Sequence, residues 1–110
     1  MTTQSYYDPI LETMSAADRQ RYLNQRLERI VRFAYEYAPA MKDKLDRAGL
    51  SPEAIQTTQD LEKLPVTRKE DLPQLQRAKP PFGGFVTVPP SSLEWIVVNP
   101  GPLYVPSHTE

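Results

Sequence analysis

"WIVVNPGPLYVP", residues 95–106, is the stretch on which the reading of the chain turns. Trp95, Ile96, Val97 and Val98 form an unbroken apolar run, the pattern of a strand covered on both faces. Upstream residues offer no second convincing strand. A solitary strand leaves its N–H and C=O groups unmatched, so its partners are expected from elsewhere. Behind the run comes a loop of small residues, a position where many enzymes grip phosphate. Here that loop carries Pro100, Pro102 and Pro106 and no lysine.

Working back towards the amino terminus, "AKPPFGGFVTVPPSS" is a connector punctuated by proline and glycine, with Phe82, Phe85, Val86 and Val88 placed to lie on another surface. Everything before it reads as helix. In "YYDPILETMS", Asp8 can cap a first turn and Pro9 sits where a missing N–H costs nothing, which predicts a short helix from Pro9 to Thr13. Ser15 caps a long helix over 16–37, where Leu23, Leu27, Ile30, Val31, Ala34 and Ala38 recur at three- and four-residue steps and define the face expected to be buried. Pro39 stops that helix and starts the next. Gly49 can take the left-handed conformation that closes it, bringing Leu50 against Leu45. Ser51 with Pro52 supplies another cap and first turn. Thr58, with Leu61 and Leu64 facing inward, and a Thr67–Glu70 capping box then predict two short helices. The expected organisation is a helical region over residues 1–76, then a connector, first strand and altered loop over 77–110.

Composition excludes several classes of function. The 110 residues suit one domain with a modest core, burying about two thirds of the unfolded surface. A net charge of −1 provides no field for nucleic acid or an anionic membrane. Without cysteine there are no disulfides, thiolate nucleophiles or zinc–cysteine sites, and a reducing cytoplasm is the default location. "MTTQSYYDPI" has neither a basic start nor an apolar run, so no secretory signal is expected. No stretch approaches the roughly 20 apolar residues that span a bilayer.

Taken in order, "YYDPILETMS", "RLERIVRFAYEYAPAMKDKLDRAGLSPE", "DLEKLPVTRKEDL" and "PFGGFVTVPPSSLEWI" resemble the opening of phenylacetate-coenzyme A ligase and related aryl-CoA ligases of the AMP-forming superfamily. The resemblance covers nearly everything up to Ile96 and rests on the ordered set. It implies a mainly α amino-terminal segment of a larger α/β adenylate-forming fold. In an intact relative it implies ATP, coenzyme A and magnesium as cofactors, for activating a carboxylic acid, expected to be aromatic, as its adenylate and passing it to the coenzyme A thiol. Such ligases usually carry two aromatics after the proline matching Pro39, where this chain has Ala40 and Met41. They also hold the ATP phosphates with a loop of the type S-S-G-T-T-G-x-P. The same eight places read Asn99, Pro100, Gly101, Pro102, Leu103, Tyr104, Val105 and Pro106, so only the first glycine and last proline match. Proline nitrogens donate nothing and the hydroxyls are gone. A phosphate cradle needs several convergent N–H groups, which leaves Asn99 and Gly101 as the cofactor-binding candidates.

Other chemistry-bearing residues have simpler readings. His108, the single histidine, lies near the end, where partners are rarely held in place, and is read as a solvated tail. Asp43, Asp46, Asp60, Glu62, Glu70 and Asp71 sit among lysines and arginines, the pattern of a solvated face. The five arginines of the long helix are interleaved with acids and read as an exposed helical face, not an RNA surface. Phe82, Phe85 and Trp95 could line an aryl pocket but are more often core or interface. Two functions follow: the front segment of an aryl-CoA-ligase-like protein, inactive alone and partnered by the remainder of the ligase, or a non-catalytic module that joins a complementary subunit. Exposed strand edges also favour a homodimer, domain-swapped or otherwise.

Overall fold

The computed structural model describes residues 5–107, so His108 lies outside the described residues. Helix α1 spans Pro9–Glu12, α2 Ala16–Tyr37, α3 Pro39–Arg47 and α4 Leu72–Ala78; strands β1 (Trp95–Asn99) and β2 (Leu103–Ser107) follow. The start signals act as read. Asp8 Oδ1 accepts from the N–H groups of Ile10 and Leu11 at 3.1 and 2.9 Å, and Ser15 Oγ accepts from Asp18 N–H at 3.1 Å. Ala38 is extended, and Pro39 begins α3 directly. Gly49 adopts φ +70°, and Leu50 N–H returns to Leu45 C=O at 2.9 Å, closing α3.

The main apolar cluster lies where α2 meets α3 and the turn after it. Val31, Leu45 and Ile55 are buried there, with Leu27, Tyr35, Met41, Leu50 and Leu64 packed around them. Fully burying a side chain such as Leu45 or Ile55 stabilises the fold by about 1.5–3 kcal/mol. The buried face of α2 is narrower than its periodicity predicts. Leu23 and Ile30 are 43% and 57% exposed, because the packed elements cover one side of the helix only.

Between α3 and α4 the expected helices are replaced by 3-10 turns at Pro52–Ala54, Thr58–Lys63 and Lys69–Asp71. Ser51 makes no side-chain capping bond. Thr57, not Thr58, precedes the second turn, where Asp60 accepts from Gln56 N–H and Thr57 N–H at 3.0 Å each. Leu64 is packed as expected, but Leu61 is exposed. The Thr67–Glu70 box does not form. Thr67 instead accepts a hydrogen bond from Lys44, whose ammonium also reaches Pro65 C=O at 3.1 Å.

Strand β1 is not solitary. It pairs antiparallel with β2, Val97 opposite Val105 and Asn99 opposite Leu103. Nor is it buried: all five residues are exposed, Trp95 at 67%. The expectation of cover on both faces fails because α4 packs on β2, while the side chains of β1 stay exposed. No helix of the described chain is long and apolar enough to cross a membrane.

Candidate functional site

The connector brings the hairpin to the helices. Ala40 N–H at the start of α3 donates to Gly84 C=O at 2.9 Å, and Phe82 is buried beside it at 2% exposure. Helix α4, with Pro73 in its first turn, then presents Gln76 to β2. The Gln76 amide donates to Tyr104 C=O at 2.8 Å and accepts Tyr104 N–H at 2.9 Å, and Gln76 is the buried polar side chain among the described residues.

That clamp fixes the loop carrying the two sequence candidates. Asn99 ends β1, and Gly101 lies in the exposed turn 100–102 with φ +150°, a conformation that side chains rarely adopt. A Cβ built on Gly101 would stand 3.4 Å from Leu103 N and 3.6 Å from Pro73 Cγ. Gly101 shares a shallow hollow of about 390 Å³ with Lys69, Glu70, Pro73, Pro100 and Leu103. Asn99 does not line it, so the two candidates do not converge.

Donors in this turn are few. Pro100 and Pro102 have no N–H, and Leu103 faces Asn99 in the ladder, leaving the Gly101 amide. Lys69 adds a cation from a distant turn, with Glu70 beside it in the same hollow. Sequence reasoning missed Lys69, since no spacing ties it to the loop. A triphosphate needs several aligned donors and an excess of positive charge, so these residues do not fit one. Among the described residues no three histidine, cysteine, aspartate or glutamate side chains converge on a point.

Of the remaining candidates, the carboxylates Asp43, Asp46 and Asp60 are taken up in local ion pairs, exposed at Asp43 and Asp46 and half-buried at Asp60. Asp43 pairs with Arg47 at 2.9 Å, Asp46 with Lys42 at 2.8 Å and Asp60 with Lys63 at 3.0 Å. The Lys42 ammonium, then the Tyr35 hydroxyl at 2.7 Å, hold the Asp46 carboxyl below its ordinary range. Phe82 joins Tyr37, Pro39, Lys79 and Val88 around an open groove of about 490 Å³. Trp95 is not part of it, so the aromatics form no common pocket. On α2, Arg26 lies over the Tyr22 ring at 5.4 Å, and Arg32 pairs with Glu28 at 3.0 Å.

No family model matches the chain. Among characterised proteins it is 37% identical over 79 residues to a phenylacetate-coenzyme A ligase of Thermus thermophilus, covering 72% of this chain and 17% of that protein. The phenylacetate-coenzyme A ligase of Escherichia coli is 39% identical over 85 residues, covering 77% of this chain and 18% of the relative. A crystal structure of 2-hydroxyisobutyryl-CoA ligase, in the postadenylation state with 2-HIB-AMP, superposes with a TM-score of 0.80 at 36% identity over 93% of this chain and 21% of the ligase. The same enzyme with 2-HIB-AMP and CoA in the thioesterification state gives 0.72 at 34% identity, over 84% and 20%. The chain thus spans about a fifth of the length of the proteins it matches. Its helices and hairpin form a mainly helical amino-terminal segment of the adenylate-forming ligase fold.

Proposed function

We infer that this phenylacetate-coenzyme A ligase-like segment serves as the helical lead-in and first sheet hairpin of an AMP-forming acyl-CoA ligase, contributing scaffold and no phosphate chemistry of its own. The observation that carries this reading is the turn at 99–103. Where ligases of this type place a phosphate loop, this chain has a proline-rich hairpin turn offering the Gly101 amide, with Lys69 and Glu70 opposed beside it. Adenylation needs neutralised phosphates and an oriented carboxylate, so ATP, coenzyme A and magnesium would be held by residues outside this segment. An aromatic acid is the substrate class that the characterised relatives favour, and the cytoplasm is the compartment in which such a ligase would work.

The test is carboxylate-dependent exchange of labelled pyrophosphate into ATP by the purified 110-residue chain. No exchange above background is expected with phenylacetate or with short hydroxy acids. Sustained exchange would refute the scaffold reading.

A second reading, a free-standing non-catalytic module descended from such a ligase, is favoured by the bare apolar strand β1. Reading the gene past codon 110 separates the two. Continuation into further ligase sequence supports the scaffold; a stop codon supports the module.

A further inference from the structure

Strand β2 has an outer edge from which every donor has been withdrawn. Tyr104, opposite Val98 in the ladder, gives its N–H and its C=O to Gln76, so both groups point away from β1. By the alternation of an antiparallel ladder, position 106 points the same way, while Leu103, Val105 and Ser107 turn their backbone groups towards β1. Of the two outward residues, Pro106 has no N–H, and the Tyr104 N–H is held by Gln76 Oε1 at 2.9 Å. Pro102, just before the strand, has none either.

We propose that Gln76 is an edge plug: its side chain occupies the strand-pairing position beside Tyr104 and so bars a further strand, of this chain or another, from adding to β2. An added strand must exchange backbone bonds with an outward residue, and on β2 Tyr104 is the one outward residue that carries both groups. The Gln76 amide meets them at 2.8 and 2.9 Å, the distances of a strand neighbour, and is buried in doing so. Docking of α4 does not by itself call for an amide, since an apolar side chain of similar bulk would fill the same space. What requires a group that donates and accepts at once is the outward pair on Tyr104.

Without the plug this edge would invite pairing. Strand β2 carries no charged side chain, and Tyr104 and Val105 on it are exposed, the aromatic and β-branched types that favour strand addition. Gln76 does at position 104 by contact what the proline ring does at 106 by covalent structure. Because the contact comes from α4, the edge is guarded only once that helix has docked, and protection arrives with folding.

The experiment is analytical ultracentrifugation of the purified chain and its variants over a wide concentration range, with circular dichroism to check that each is folded. Gln76→Ala frees the Tyr104 N–H and should lower the concentration at which association sets in by about tenfold or more relative to the parent. Gln76→Lys, which can still donate to Tyr104 C=O but leaves the N–H free, should act in the same direction. Adding Tyr104→Pro to Gln76→Ala removes the freed donor and should return association to within about twofold of the parent's level. Association of Gln76→Ala equal to the parent's, a double variant that associates as strongly as Gln76→Ala, or loss of the fold in both Gln76 variants would each overturn the proposal. Association is read separately from pyrophosphate exchange, so failure of either reading leaves the other standing.

Discussion

Gln76 and Tyr104 are joined by a pair of hydrogen bonds in which a side-chain amide imitates a neighbouring strand, donating at 2.8 Å and accepting at 2.9 Å. Gln76 is buried and the two bonds are partly so, and they fasten the hairpin to α4. Replacing Gln76 with leucine keeps the bulk but strands two backbone groups. A loss of about 1–3 kcal/mol is expected. Urea unfolding followed through Trp95, the single tryptophan, will check it. Amide exchange at Tyr104 should accelerate in the variant, and an unchanged rate would show that the clamp is dispensable.

Gly101 holds a backbone angle of +150° in the turn that the hairpin encloses. Alanine there carries a conformational cost of about 1–3 kcal/mol, with Pro73 and Leu103 already close to the new methyl. At Gly49, by contrast, a Cβ meets nothing within 4 Å, and the cost at φ +70° should be nearer 1 kcal/mol. Comparing the two alanine variants by thermal melting tests whether crowding adds to the backbone term.

Leu45 is fully buried against Val31 and Ile55. Its truncation to alanine is expected to cost about 2–5 kcal/mol, enough to unfold a small domain of ordinary stability. Far-ultraviolet circular dichroism of Leu45→Ala should show loss of helix well below the parent's midpoint. A melting curve equal to the parent's would place the core elsewhere.

The Asp60 carboxyl is held well below the ordinary carboxylate range, first by the Gln56 N–H, then by Lys63 and the Thr57 N–H. A depressed folded-state pKa means that the unfolded chain binds the proton first. The contribution to stability is thus complete above the unfolded value of about 3.9 and is lost as pH falls from there towards the folded value. Asp60→Asn should flatten the acid limb of stability below about pH 4 and leave the neutral-pH slope unchanged. Denaturant titrations at a series of pH values will show it.

Local punctuation in the sequence was a good guide to the first half of the fold. Asp8, Ser15, Pro39 and Gly49 each act through their own backbone or the next turn, so neighbouring residues suffice to read them. The misread places depended on distant partners. Thr67 was spoken for by Lys44, the outer face of α2 was left bare by the shape of its neighbours, and β2 was hidden by prolines that proved compatible with an edge strand. At the loop, the missing donors were legible residue by residue. Gln76 and Lys69 were not, because only the packing of α4 and the preceding turn against the hairpin brings them there.

The molecule is elongated. Its radius of gyration is 17.4 Å, against about 13 Å for a compact domain of this length, and its longest extent is 57 Å. The apolar cluster around Leu45 lies at the helical end, while Phe82, Gln76 and Leu103 are buried further along the chain, where the connector docks on Ala40 through Gly84. The hairpin, with its exposed strand β1, is therefore expected to open before the helical end, as segments with few buried apolar contacts do.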